Sequence, residues 1–152
     1  MSGEAPEAAA APVSIVLEGT ETILVAEDQP GVRALVRAAL GRYGYHVLLA
    51  SDGKQALQLA REHGHPIHLL LTDVVMPAMG GRELVEQLRL THPETRILYT
   101  SGYTDDAVIR HGLLDPRVAF LEKPFVPRAL AQKIRQVLDA PADTLAIQRS
   151  PA

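Results

Sequence analysis

The chain has 152 residues, 47% of them hydrophobic, and 15 Lys+Arg against 18 Asp+Glu for a net charge of −3. That is enough for one domain with its own core, and it lacks the basic excess that holds a protein on phosphate backbones or anionic lipid. Zero cysteines exclude a disulfide framework, thiolate-held zinc, an iron–sulfur cluster and thiol catalysis together, so any metal must sit on oxygen or imidazole.

Residues 1–20 are rich in Ala, Glu and Pro and carry too few large apolar side chains to offset the entropy of ordering; they read as a disordered lead or linker. Their start lacks the basic end and apolar stretch of a signal peptide, and nowhere does an apolar run reach membrane-spanning length. A soluble, cytoplasmic protein is expected, without membrane insertion or direct nucleic-acid binding.

Over 21–139 the hydrophobic period switches back and forth. Ile23 to Ala26 is a short unbroken apolar run, followed by helical spacing at Val32, Leu35, Val36, Ala39 and Leu40, with Pro30 ahead of it and Gly41 and Gly44 at its far end. Val47 to Ala50 is the second run, and Ala56, Leu57 and Ala60 form the next stripe. Leu69 to Leu71 precede Leu84, Val85 and Leu88. Ile97 to Tyr99 precede a weak stripe over 105–113, and Val118 to Leu121 precede Leu130, Ile134, Val137 and Leu138, opened by Pro127. Residues 140–152, with Pro141 and Pro151, read as a flexible tail followed by no output domain.

Strict alternation of buried strands and amphipathic helices predicts an α/β fold with a five-stranded parallel sheet, right-handed crossovers and five helices on its two faces. In such sheets ligands bind beyond the carboxyl ends of the strands. Those ends carry Glu27-Asp28, Asp73, Ser101 and Lys123-Pro124.

Three acids against one lysine leave excess negative charge, which one divalent cation would neutralise; oxygen ligands from carboxylates, a backbone carbonyl and water are what Mg²⁺ prefers. Mg²⁺ beside a carboxylate, a lysine and a hydroxyl is also an apparatus for phosphoryl transfer, with Asp73 as the nucleophile that would form an acyl phosphate.

The stretches ILVAEDQP, LLLTDVVMPAMGG, ILYTSGY and AFLEKPF together resemble the receiver domain of two-component response regulators: an acidic pair, an Asp before an x-x-Met-Pro loop, a Ser or Thr, and Lys-Pro. The wording GTETILVAED, TSGYTDDAVIRHG and LDPRVAFLEKPF is most similar to the C-terminal receivers of hybrid sensor histidine kinases. The resemblance covers about residues 21–139. It implies the flavodoxin-like, CheY-like doubly wound fold with strand order 2-1-3-4-5. It also implies Asp73 as phosphoacceptor, Asp28 and Asp73 as direct Mg²⁺ ligands, Glu27 holding the ion through water, and the Val75 carbonyl as a further ligand. Lys123 would pair with phosphoryl oxygens and Ser101 would hydrogen-bond one. Ser101 and Phe120 would move together as a switch, the Phe acting through packing because it lacks the hydroxyl of the more usual Tyr. Pro124 would follow a cis peptide bond. The partner implied is a sensor histidine kinase or a histidine phosphotransfer protein, and the chain would be a monomer or weak dimer, not an enzyme with turnover on a separate substrate.

Two other readings compete. A Mg²⁺-dependent phosphatase of the haloacid-dehalogenase type expects a second Asp two residues after the nucleophile, where Val75 stands. A receiver-like module that is never phosphorylated would have lost an acid or the lysine, and all are kept.

Other polar positions read more plainly. Asp52, Asp105 and Asp106 are expected as helix caps or loop charges, His63, His65 and His68 as solvated loop residues, and Met76 and Met79 as loop packing. Gly81 is expected to serve the turn into the third helix. Val75 and Tyr103 would shield an acyl phosphate from water. The surface of the fourth helix, fifth strand and fifth helix, with Val108, Arg110, Phe120 and Arg135, is expected to move.

Overall fold

The structure, a computed structural model, describes residues 16–102 and 119–140. Strands β1 (Thr22–Ala26), β2 (His46–Ala50), β3 (Leu69–Asp73), β4 (Arg96–Ser101) and β5 (Ala119–Glu122) alternate with helices α1 (Pro30–Arg42), α2 (Gly53–His63), α3 (Gly81–Thr91) and α4 (Pro127–Asp139). The helix expected over 105–113 lies outside the described residues, as do Tyr103, Val108 and Arg110. The strands form one sheet in the order β2-β1-β3-β4-β5, with every pair parallel.

Each inner strand is apolar at successive positions because both its faces are covered. Ile23, Val25, Leu69, Leu71 and Leu98 pack with Val36 and Leu40 of α1 and Leu130 and Ile134 of α4. Their alternate neighbours Leu24, Ala26, Leu70, Ile97 and Tyr99 pack with Ala56 and Ala60 of α2 and Leu84, Val85 and Leu88 of α3. The period of two along each strand thus divides the core into two layers, one per face. Strand β5, at the edge, is only half-buried over Ala119 to Leu121.

Helix ends follow local chemistry. Pro30 begins α1, where a missing N–H costs nothing, and Asp52 caps α2 by accepting from the Gln55 N–H at 2.8 Å. Gly64 closes α2 at φ 78°, so His63 is the last helical residue and not a loop residue. Helix α1 runs through Gly41, and the chain turns instead at Gly44, φ 96°, whose N–H bonds the Gly41 carbonyl at 3.0 Å.

Within residues 16–20, which composition groups with the lead, Leu17 and Gly19 make contacts with the domain. Leu17 is buried, its carbonyl accepts from the Tyr45 hydroxyl at 3.1 Å, and the Gly19 N–H reaches the Tyr43 carbonyl at 3.0 Å. Among the described residues no helix is long and apolar enough to cross a membrane.

Candidate functional site

The parallel sheet brings the carboxyl ends of β1, β3, β4 and β5 to one edge, and the side chains there form a single acidic pocket. The Glu27 N–H bonds the Ala50 carbonyl at 3.1 Å, carrying the β1–β2 ladder one residue past the strand. That extension buries Glu27. Its Oε2 accepts from the Gln29 N–H at 3.0 Å, and its carbonyl accepts from Arg33 Nη1 at 2.8 Å, which fixes the turn into α1. Asp28 follows at the half-buried rim.

Asp73 ends β3 and is 6% exposed. The backbone beyond it is pinned twice: the Val74 N–H bonds the Thr100 carbonyl at 2.9 Å, and the Gly81 N–H bonds the Val74 carbonyl at 2.9 Å. Helix α3 therefore starts directly against the strand end. A Cβ at Gly81 would collide with the Asp73 carbonyl oxygen, so this glycine serves close approach more than a turn. Val75 follows in the loop with its side chain 50% exposed.

Lys123 is delivered by β5. Its N–H bonds the Ser101 carbonyl at 2.7 Å, the peptide to Pro124 is cis, and Nζ lies 3.0 Å from both Asp73 Oδ2 and Glu27 Oε1. Oxygens of Glu27, Asp28 and Asp73 lie within 4.8 Å of one another.

Burial pushes the Glu27 carboxyl above its ordinary value, partly offset by the Gln29 N–H and Lys123. Burial likewise raises Asp73 against the pull of Lys123. For Lys123 itself burial disfavours the charge, but bonds to Asp73 and Glu27 outweigh it and the ammonium is held more firmly. One ammonium thus serves a pocket of three carboxylates, and the buried Asp73 Oδ1 has no protein partner. A hard divalent cation fits what remains: an all-oxygen donor set, uncompensated negative charge and a spare carboxylate oxygen.

The β4 register separates its two hydroxyls. Thr100 lies beside Val36 and Phe125 on the α1/α4 side, so the next residue, Ser101, faces the other layer. Ser101 is fully buried and its Oγ has no partner. Phe120 pairs in register with Tyr99 and packs on the α2/α3 layer, the side that Ser101 faces.

The structure brings Glu27, Asp28, Asp73 and Lys123 together; Ser101 and Val75 flank them, and Phe120 stands one strand position back. Gln29 and Arg33, which hold Glu27, escaped the sequence reading because their contacts are backbone bonds; the only signal was an arginine in the first turn of a helix beginning at the acidic pair. Arg135, expected on the moving surface, is tied to three side chains in this structure. Its guanidinium bonds both Glu21 oxygens at 3.0 and 2.9 Å, the Tyr45 hydroxyl at 3.0 Å and both Asp139 oxygens at 3.1 and 2.7 Å.

A family profile described as response regulator receiver domain matches residues 23–135. The sensor kinase CckA of Brucella abortus (strain 2308) is 38% identical over 123 residues, which are 81% of this chain and 13% of that protein. The response regulator receiver protein CpdR of the same organism is 35% identical over 118 residues, 78% of this chain and 97% of the relative. A crystal structure of the receiver domain from the hybrid histidine kinase CckA superposes with a TM-score of 0.64 at 31% identity, covering 78% of this chain and 99% of the other.

Proposed function

This chain belongs to the response regulator receiver domain family, and from that premise we propose that it is a phosphoacceptor signalling module which takes a phosphoryl group onto Asp73 from a phosphohistidine. The observation that carries the reading is the Asp73 carboxylate: buried, bonded through Oδ2 to Lys123 at 3.0 Å, and left with Oδ1 unpartnered. In the transfer, a carboxylate oxygen of Asp73 forms a bond to phosphorus as the phosphorus–nitrogen bond of the phosphohistidine breaks, and the released imidazole takes up a proton.

Glu27, Asp28, Asp73 and the Val75 carbonyl would hold Mg²⁺, which when bound offsets charge on the phosphoryl oxygens. Lys123 is placed to follow the phosphoryl group and pair with its oxygens. The Ser101 hydroxyl, buried and unpartnered, is available to donate to one of them. That donation would draw Ser101 inward and change the packing seen by Phe120 on the same side of the sheet, so the phosphoryl group favours one of two packings.

The donor is a sensor histidine kinase or a histidine phosphotransfer protein, and the module is read as cytoplasmic and as a monomer or weak dimer. A groove of about 420 Å³ runs beside Lys123, lined by Val32, Leu35, Pro124 and Phe125. Its apolar lining next to the reacting carboxylate supports a seat for the helix that presents the histidine. The module turns over no separate substrate; it catalyses only its own phosphorylation and dephosphorylation.

Intact mass after incubation with acetyl phosphate tests the reading. Wild type is expected to gain one phosphoryl group only when Mg²⁺ is present, and Asp73→Asn none. Equal gain by the variant, or gain indifferent to chelation of Mg²⁺, would overturn it.

A further inference from the structure

A second group of ligating side chains sits at the pole of the sheet away from the carboxylates. His46 opens β2, His63 ends α2, and His65 follows in the loop leading to β3, so all three lie where the strands begin. The His46 and His63 ring centres are 5.9 Å apart with planes at 27°. Those of His63 and His65 are 5.5 Å apart at 73°. His63 Nε2 is buried and has no hydrogen-bond partner.

With Zn–N bonds of about 2.0–2.1 Å and tetrahedral angles, two imidazoles on one ion hold their ring centres about 5 Å apart. The observed spacings are within an ångström of that. Among the described residues only the acidic group already brings three ligand atoms within 4.8 Å, so the imidazoles close by turning the rings of His46 and His65. Both are exposed, while His63 supplies a buried nitrogen with no partner of its own.

We propose that His46, His63 and His65 form a second metal site, selective for a borderline divalent ion such as Zn²⁺, with water completing the tetrahedron. Imidazole donors suit Zn²⁺ over Mg²⁺, whereas the oxygen pocket has the opposite preference. The two sites are therefore separable by chemistry as well as by position.

The test is a calorimetric titration of the full, untagged chain with Zn²⁺ in a large excess of Mg²⁺, which occupies the oxygen pocket, repeated with Co²⁺ under the same conditions to read coordination from its visible spectrum. One equivalent is expected to bind, with the intense bands of tetrahedral Co²⁺. His63→Gln and, separately, the exposed His65→Gln should each weaken binding at least about tenfold, while the double variant Asp28→Asn with Asp73→Asn should leave affinity and spectrum unchanged. Unchanged affinity in both histidine variants, loss of binding in the double aspartate variant, an octahedral Co²⁺ spectrum, or no binding at all would each overturn the proposal.

Discussion

Gly81 and Gly41 show how differently one residue type can matter. At Gly81 an added Cβ would meet the Asp73 carbonyl and the Val74 Cα, both backbone atoms that cannot swing aside. Gly81→Ala is expected to destabilise the fold by about 1–3 kcal/mol through overpacking, and to slow phosphorylation because the displaced backbone carries Asp73. At Gly41, inside α1, a Cβ meets nothing within 4 Å, so Gly41→Ala should stabilise by about 0.5–1 kcal/mol. Urea unfolding of the two variants, with phosphorylation rates alongside, checks the contrast.

Arg135 carries the other residue-level expectation. Its hydrogen bonds hold the Glu21 carboxyl below its ordinary range and do the same for Asp139. A carboxylate whose folded pKa is depressed contributes stability above its unfolded pKa and loses it as pH falls through the folded value. Arg135→Met should therefore cost on the order of 1–2 kcal/mol at neutral pH, chiefly through Glu21 and the Tyr45 contact because Asp139 is largely exposed. The difference from wild type should shrink as pH drops through and below the carboxylate range. A constant difference across that range, in unfolding followed against pH, would contradict the assignment.

Among the elements, α1 holds the site from one side and offers an apolar edge on the other. Leu35 was expected to lie within the buried stripe but is 39% exposed, because it faces the groove beside Lys123 and not the sheet. Leu35→Asp is expected to slow transfer from a phosphohistidine donor at least about tenfold through loss of an apolar contact, and to leave phosphorylation by acetyl phosphate unchanged. Equal slowing with both donors would mean that the substitution acts on the site and not on docking.

Strands and most helices were legible in the chain because strands buried on both faces read as unbroken apolar runs and the helices keep a period near 3.6. The site was legible for the same reason: each run ends at a polar residue, and parallel strands carry those ends to one edge. What escaped is held by other means. Leu17 to Gly19 dock through bonds to their backbone and one buried leucine beside an Ala-rich stretch. The Arg135 knot joins residues 114 and 90 positions apart. His46 approaches His63 only once β2 and α2 are packed together.

For the molecule as a whole, the acidic pocket sets a charge problem that the fold alone leaves unsolved. Carboxylates drawn into a buried edge with a single lysine disfavour their own ionisation, so a bound cation should stabilise the native state and not the unfolded chain. Mg²⁺ at about a hundred times its Kd is expected to add about 2.7 kcal/mol to unfolding stability, and Asp28→Asn to abolish most of that increment. Thermal unfolding against Mg²⁺ concentration measures it.

The reaction at Asp73 is the central claim, and borohydride reduction of the phosphorylated chain reaches it most directly. An aspartyl phosphate is reduced to the corresponding alcohol, which turns the aspartate into homoserine, while phosphate esters of serine or threonine survive. After treatment with acetyl phosphate and Mg²⁺, peptide mass mapping should find homoserine at position 73 and at no other aspartate. Homoserine at Asp28, or phosphate retained on a hydroxyl such as Ser101, would contradict the account.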